Sequence, residues 1–121
     1  VIGLEMGSVW SRLGAEVTII EYMDRIVASG DADVSRELQK ILEKQGLKFK
    51  LSTKAMAAKI ENKRVFLDIE SANKNHEQLE CDILLVAVGR KAYTAGLGLD
   101  KVGITLDERG RVNVNNRFAT N

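Results

Sequence analysis

Apolar residues recur at helical spacing in two segments of the chain. The first segment ends at Gly14, where a C-terminal glycine belongs, and its apolar residues are Leu4, Val9, Trp10 and Leu13. The second begins at Asp31, whose side chain suits an N-cap, and ends at Gly46. Its apolar stripe consists of Val34, Leu38, Ile41 and Leu42. Both patterns predict helices that pack one face against a core.

Short apolar runs predict strands between and after these helices. Residues 16–21 are rich in β-branched side chains, as in a buried parallel strand, and the run ends at Glu21. In residues 47–51, apolar side chains alternate with lysines, which predicts a strand with one face exposed to solvent. The order helix, strand, helix, strand indicates an α/β fold. Further patterns predict an antiparallel hairpin followed by a polar loop: residues 55–60, 65–69 and 71–78.

The most apolar stretch of the chain is the run 82–88, which ends at Gly89. It is too short for a typical helix and predicts a central strand that is buried on both faces. If the first strand of the sheet is missing, we expect Val86 and Val88 to be exposed instead. From Lys91 onward the chain consists of short pieces separated by glycine, too small to bury a core of their own. We expect this tail to dock elsewhere.

Composition narrows the class of protein. The 121 residues are 45% hydrophobic and 29% charged, which describes one ordinary globular domain. The net charge of +1 gives the chain no strong electrostatic potential that would attract nucleic acid or an anionic membrane, so we expect neither as a partner. No apolar run approaches the ~20 residues of a membrane-spanning helix. One Cys and one His cannot form an internal disulfide or a structural zinc site, so we expect no metal.

Gly3 and Glu21 resemble the second half of a dinucleotide-binding fingerprint. That fingerprint needs a glycine where a helix packs on a strand, and an acid about 20 residues later for the ribose hydroxyls. Gly3 fits the last glycine, and Glu21 follows 18 residues later at the end of a predicted strand. By spacing alone the signal is weak, and an ordinary helix start with a solvated strand-end acid is the favoured interpretation.

The sequence from Ile2 to Glu21, and above all Gly7-Ser-Val-Trp10, closely resembles the NAD segment of the dihydrolipoamide dehydrogenases. These belong to the flavin-dependent pyridine nucleotide-disulfide oxidoreductase family. The resemblance extends over essentially the whole chain, through residues 42–51, 81–90, 103–111 and 116–120. It implies an α/β fold: a Rossmann-type NAD-binding domain with an inserted antiparallel β-meander, lacking its first strand. A short tail would belong to the FAD domain.

The resemblance implies cofactor-binding residues but no catalytic residue within the chain. Ile2, Gly3 and Leu4 would lie at the NAD pyrophosphate, where helical N–H groups and the helix dipole favour anions. Ordinary helix packing is the alternative. Glu5 would lie near the nicotinamide, or else be a first-turn acid stabilised by the dipole. Glu21 would bind the adenosine ribose, with a solvated strand-end charge as the alternative.

Two further residues complete the implied site. Ala55 would line the adenine pocket, although plain packing explains it equally well. Gly89 would allow the backbone to approach the cofactor closely, with a simple turn as the alternative. We expect Cys81 to be a small core residue and His76 to be a solvated loop residue with no carboxylate in a plausible dyad. The turn after Gly89 departs from the family, which commonly has Pro where Ala92 stands.

In the full enzyme that the chain resembles, electrons pass from dihydrolipoamide to a redox disulfide, then to FAD and then to NAD. A His-Glu pair handles the protons. Neither the cysteine pair nor the His-Glu pair is encoded here, so we expect an internal fragment that is inactive alone. Residues 1–90 would belong to the NAD-binding domain, and residues 91–121 would return toward the FAD-binding domain.

The resemblance further implies partners and a location. The substrate would be dihydrolipoamide carried on an acyltransferase subunit of a 2-oxo acid dehydrogenase complex, and the full-length protein would be a homodimer. The mitochondrial matrix is the expected location, with the bacterial cytoplasm second. Two alternatives stay open: a non-catalytic nucleotide-binding or interaction module, and another disulfide reductase of the family, of the glutathione or mercuric type. Glu21 argues against members that use NADP.

Overall fold

The computed structural model describes residues 1–121, which divide into two compact units, Val1–Ala87 and Val88–Asn121. The first unit contains two helices and five strands. In chain order they are α1 (Ile2–Arg12), β1 (Thr18–Ile20), α2 (Ala32–Lys44), β2 (Lys48–Lys50), β3 (Thr53–Glu61), β4 (Arg64–Ser71) and β5 (His76–Cys81). The second unit contains one 3₁₀ helix, Leu99–Val102.

Strands β1 and β2 form a parallel pair, in which Ile19 lies opposite Phe49. The α/β order predicted for this half of the chain is therefore confirmed. Its core is built around Ile26, Leu42 and Leu47, which are all buried. Ile26 is the most buried of them and lies between β1 and α2, outside every predicted apolar stripe. Half-buried side chains surround this core: Leu4, Val17, Ile19, Val27, Leu38, Phe49 and Leu51.

The predicted apolar stripe of helix α1 is only partly correct, because Leu4 packs against the core while other residues of the stripe are exposed. Val9 is 51% exposed and Leu13 is 79% exposed, whereas Gly7 is the one buried residue of the helix. A Cβ atom at position 7 would lie 3.2 Å from Ile19 Cδ1 and 3.3 Å from Val17 Cγ1. The missing side chain lets the helix approach β1 closely, so the contact forms at the glycine.

Helix α2 begins as predicted at Asp31, whose carboxylate accepts the N–H groups of Asp33 (2.8 Å) and Val34 (3.3 Å). This cap satisfies two of the N–H groups that a helix leaves unpaired at its start. The predicted stripe is only partly correct, because Leu42 is buried but Val34 and Ile41 are exposed. Leu38 and Leu42 are the residues of the stripe that pack in the core.

Strands β3, β4 and β5 form a three-stranded antiparallel sheet with β4 in the middle. The predicted hairpin is confirmed. Its two-residue turn places Asn62 and Lys63 at φ +49° and +64°, which is the geometry that matches the twist of a hairpin. A register shift between Ala55 and Ala57 marks a bulge in β3.

The prediction of a polar loop over residues 71–78 is wrong for its last three residues, because β5 begins at His76 and pairs along β4. One face of this edge strand is polar, and its side chains pair with those of β4. Gln78 donates to Asp68, and Arg64 donates to Glu80. His76 is exposed as expected, but it lies 3.5 Å from the Glu70 carboxylate, so the expectation of no nearby carboxylate is wrong. Cys81 is half-buried at the end of β5 rather than in the core.

The apolar run 82–88 forms no strand, which corrects the prediction of a central strand buried on both faces. Ile83 is 78% exposed and Val86 is 70% exposed. A strand is defined by its hydrogen-bonded neighbours, and β1 pairs only with β2 while the second sheet ends at β5. The exposure of Val86 and Val88 that we expected without a first strand is confirmed.

The second unit is short and turn-rich. Its 3₁₀ helix lies between Gly98 and Gly103, both with left-handed backbone angles. Leu106 and Val112 form an isolated antiparallel bridge, closed by a turn in which Asp107 accepts the N–H groups of Arg109 and Arg111. No residue of this unit is buried, which confirms that these pieces bury no core of their own.

Candidate functional site

The N-terminus of α1 carries free backbone donors. The N–H groups of Leu4 and Glu5 both donate to the carbonyl of Val1, at 2.9 and 3.1 Å. No side chain caps the helix, so the N–H groups of Ile2 and Gly3 are left without an acceptor. Such a helix start carries partial positive charge and suits a bound anion.

Gly3 lies against the extended segment that follows β5. A Cβ atom at position 3 would lie 3.3 Å from the Cβ of Ala87, which is tighter than an ordinary van der Waals contact. The helix start and this segment therefore approach each other closely because residue 3 has no side chain. Because residues 82–88 form no strand here, the helix-to-strand packing that the fingerprint requires of its last glycine stays a prediction.

Glu21 follows β1 directly and is held by three hydrogen bonds. Its N–H donates to the Lys50 carbonyl at 3.0 Å, and its own carbonyl accepts the Thr53 N–H at 3.0 Å. One carboxylate oxygen, Oε1, accepts the Met23 N–H at 2.9 Å. The residue is half-buried. Its second carboxylate oxygen, Oε2, forms no hydrogen bond in the structure and can accept from a ligand hydroxyl.

Ala55 lies close along the chain to the strand end that holds Glu21. It is exposed in β3, opposite Ile69, immediately before the bulge. Thr53, which donates to the Glu21 carbonyl, precedes it by two residues on the same strand. The structure therefore links Glu21 to the start of β3 and leaves the small side chain of Ala55 open to contact.

The two remaining predicted residues are Glu5 and Gly89. Glu5 is exposed in the first turn of α1 and forms no salt bridge, so its carboxylate is free beside the positive end of the helix dipole. Gly89 is exposed at φ +126°, a conformation that favours glycine, and a Cβ atom there would meet nothing within 4 Å. It belongs to the second unit, whereas the other six predicted residues belong to the first.

Sequence analysis missed the turn that joins β2 to β3. Ser52 adopts φ +47° and donates its N–H to the Met23 carbonyl at 2.8 Å. Thr53 is 5% exposed, and its hydroxyl donates to the Leu51 carbonyl at 2.8 Å. No apolar period marks such a turn, and serine carries no local preference strong enough to predict a left-handed angle.

Two open grooves lie elsewhere on the first unit, and neither is lined by a predicted cofactor-binding residue. One, of about 580 Å³, lies between β2 and the antiparallel sheet and includes Lys50, Ser71 and Glu77. The other, of about 450 Å³, follows the exposed apolar stripe of α2. Of the predicted residues, four lie in the first turn of α1, Glu21 directly follows β1, Ala55 lies in β3 and Gly89 belongs to the second unit.

The carboxyl groups whose pKa is perturbed are not among the predicted residues. A hydrogen bond from Lys48 lowers the pKa of Glu16, and a hydrogen bond from Lys40 lowers the pKa of Glu37. Hydrogen bonds from Arg111 lower the pKa of Asp107.

No cluster of three or more His, Cys, Asp or Glu side chains is placed to hold a metal ion. Neither helix has the length and apolar character needed to cross a membrane. The unpaired N–H groups at the start of α1 suit an anion, and the free carboxylate oxygen of Glu21 can accept from a hydroxyl. This geometry supports binding of an anionic, hydroxyl-bearing ligand.

Comparisons with known proteins agree on one family. The sequence profile of the family described as pyridine nucleotide-disulphide oxidoreductase matches residues 1–121. Mitochondrial dihydrolipoyl dehydrogenase of Schizosaccharomyces pombe is 51% identical, and the match covers 100% of this chain and 24% of that protein. The corresponding protein of Caenorhabditis elegans is 53% identical over 99% of this chain and 25% of that protein.

The chain is also similar to a reductase that carries a different name and to a reductase whose structure has been solved. Leghemoglobin reductase of Glycine max is 49% identical, over 99% of this chain and 23% of that protein. The HOCl-induced flavoprotein disulfide reductase RclA of Escherichia coli matches with a TM-score of 0.84 and 31% identity, covering 98% of this chain and 26% of that chain. The chain thus spans about a quarter of the length of the relatives that it matches. Over that span, the chain belongs to the pyridine nucleotide-disulphide oxidoreductase family.

Proposed function

We propose that the chain is the NAD-binding portion of a flavin-dependent dihydrolipoamide dehydrogenase, which oxidises dihydrolipoamide and reduces NAD. The observation that carries this proposal is the position of Glu21. It directly follows β1 of the parallel pair, is fixed through both of its backbone groups, and keeps one carboxylate oxygen free. About 50% identity to proteins named dihydrolipoyl dehydrogenase supports the same reaction class.

The residues of the first unit fit NAD in chemical character. The unpaired N–H groups of Ile2 and Gly3, with Leu4 behind them, would face the pyrophosphate. Glu21 would accept hydrogen bonds from the adenosine ribose, and Ala55 would lie against the adenine. Glu5 would lie near the nicotinamide. Gly89, in the second unit, would allow the backbone to approach the cofactor.

This assignment extends to the domain organisation. Residues 1–90 would form the Rossmann-type NAD-binding domain, with the antiparallel sheet β3–β5 as its inserted meander. Residues 91–121 would return toward the FAD-binding domain. FAD, when bound in the full-length protein, carries electrons from the substrate dithiol to NAD. This chain has one cysteine, Cys81, so the redox disulfide would come from other residues of the full-length protein.

The proposed partners are those that the resemblance to the dihydrolipoamide dehydrogenases implies. The substrate is dihydrolipoamide carried on an acyltransferase subunit of a 2-oxo acid dehydrogenase complex, and the full-length protein is a homodimer. Several similar proteins are named mitochondrial, which supports the mitochondrial matrix over the bacterial cytoplasm. The likeness to RclA favours a second candidate, another flavoprotein disulfide reductase, but its identity of 31% is well below that of the dihydrolipoyl dehydrogenases.

The proposal is tested by Glu21→Ala in the full-length flavoprotein. Charge-assisted hydrogen bonds contribute ~1.5–3 kcal/mol, so NADH binding should weaken roughly 10- to 150-fold. Binding of NADPH should not weaken, because its 2′-phosphate repels the carboxylate. The matched control is Glu16→Ala, which removes an exposed acid paired with Lys48 just before β1. Equal NADH affinity in the two variants and the unsubstituted protein would overturn the proposal.

A further inference from the structure

The turn that joins β2 to β3 forms backbone hydrogen bonds with residues 21–23. The Ser52 N–H donates to the Met23 carbonyl at 2.8 Å, and the Thr53 N–H donates to the Glu21 carbonyl at 3.0 Å. Met23 in turn donates its N–H to the Glu21 carboxylate at 2.9 Å. Residues 21–23 therefore form a small hydrogen-bonded loop, in which the carbonyls of Glu21 and Met23 accept from consecutive N–H groups of the turn between β2 and β3.

This arrangement requires an unfavourable backbone conformation at Ser52. Its φ of +47° lies in the left-handed region, which L-residues other than Gly, Asn and Asp rarely adopt. Such a conformation persists only where surrounding contacts determine it. The two N–H groups that follow from it, those of Ser52 and Thr53, both reach carbonyls of the Glu21 loop.

The side chain of Thr53 closes the same turn from inside. The residue is 5% exposed, and its Oγ1 donates to the Leu51 carbonyl at 2.8 Å. This bond joins residues 53 and 51 across Ser52. It holds the turn in the conformation in which the N–H groups of Ser52 and Thr53 reach the carbonyls of Met23 and Glu21. Removing the hydroxyl therefore removes the one side-chain bond that Thr53 makes across this turn.

We infer that Thr53 is a positioning residue for nucleotide recognition: its buried hydroxyl fixes the turn 51–53, and that turn orients the Glu21 carboxylate toward the ribose of NAD. The inference rests on the proposed function. It adds that selection of NADH over NADPH depends on a residue that does not itself touch the cofactor. Loss of the hydroxyl lets the turn relax, and Glu21 then samples orientations in which it no longer meets the ribose.

The experiment compares variants of the full-length flavoprotein by titration with NADH and NADPH. Thr53→Val keeps the branched shape and removes only the hydroxyl. It should weaken NADH binding about 3- to 10-fold, the size expected from one lost buried hydrogen bond, while NADPH binding stays unchanged. Thr53→Ser restores the hydroxyl and should restore the preference for NADH. Thr94→Val is the matched control, because the Thr94 hydroxyl also donates to a backbone carbonyl, that of Gly110, in the second unit.

A double-mutant cycle separates positioning from structural damage. If Thr53 acts through Glu21, Thr53→Val should have no further effect on NADH binding once Glu21 is replaced by Ala. Should Thr53→Val lose its flavin, Thr53→Ala gives the same measurement with a smaller side chain. An unchanged ratio of NADH to NADPH affinity, or equal weakening of both, overturns the inference while Glu21→Ala still supports the proposed function. No effect of Glu21→Ala overturns both.

Discussion

Gly7 of α1 and Ile19 of β1 lie so close together that a Cβ atom on Gly7 would stand 3.2 Å from Ile19 Cδ1. Gly7 is the buried residue of its helix, and Ile19 packs against the core of the first unit. The distance between helix and strand is therefore set by the absence of a side chain. It also determines where the helix start, with its free N–H groups, lies relative to β1.

Gly7→Val should destabilise the protein. The added side chain must displace Ile19 and Val17, and overpacking of a core costs about 1–3 kcal/mol. Urea unfolding of the full-length protein measures the loss. The control is Val9→Ala on the exposed face of the same helix, which should change stability by no more than about 0.5 kcal/mol. Equal midpoints for the two variants would show that the helix can move away without cost.

Glu21→Arg should shift the coenzyme preference further than Glu21→Ala. The arginine removes the ribose acceptor and offers a planar donor fork to the 2′-phosphate of NADPH. We expect the ratio of NADPH to NADH affinity to rise in the order Glu, Ala, Arg. Coenzyme titrations of the three full-length proteins give this ratio directly. A ratio that is the same for Ala and Arg would place the side chain of residue 21 away from the 2′ position.

Asp31→Ala should destabilise α2 through loss of its N-cap. The Asp31 carboxylate accepts the Asp33 and Val34 N–H groups, and such caps contribute about 1 kcal/mol. Asp31→Asn keeps the acceptor oxygen and should retain most of this stability. Hydrogen exchange of the amides in the first turn of α2 compares the two variants. Equal protection in both would mean that the cap does not stabilise the helix.

The turn at Asp107 should lose its order in acid. Hydrogen bonds from the backbone and side chain of Arg111 hold the pKa of the Asp107 carboxyl below its ordinary value of 3.8. A lowered pKa in the folded state means that the stabilisation is complete above 3.8 and is lost as the pH falls through the folded-state pKa. An NMR titration should give a midpoint for Asp107 below 3.8. In Asp107→Asn the protection of the Arg109 and Arg111 amides, relative to their intrinsic exchange rates, should no longer change over this range. A midpoint at or above 3.8 would contradict the assignment.

The seven residues that sequence analysis proposed for the cofactor remain predictions, and the structure gives each a definite setting. The free donors at Ile2 and Gly3 follow from any helix start without a capping side chain, so their character could be predicted from sequence. The fixed backbone of Glu21 could not. It depends on Lys50 and Thr53, which lie about 30 residues later in the chain and reach Glu21 only through the tertiary fold.

The sequence by itself determined the elements that local chemistry specifies. The Asp31 cap, the ends of both helices and the hairpin around Asn62 and Lys63 all depend on neighbouring residues, whose capping oxygens and backbone preferences act over a few positions. These predictions are confirmed because no distant contact is needed to form them.

Only the tertiary structure decided which segments pair and which residues are buried. The polar run from His76 becomes a strand because β4 offers it partners, whereas the apolar run 82–88 remains unpaired because no strand flanks it. Ile26 is buried more deeply than any residue of the predicted stripes, and Val34 stays exposed. Strand formation and burial depend on neighbours that are distant in sequence, so periodicity along the chain does not determine them.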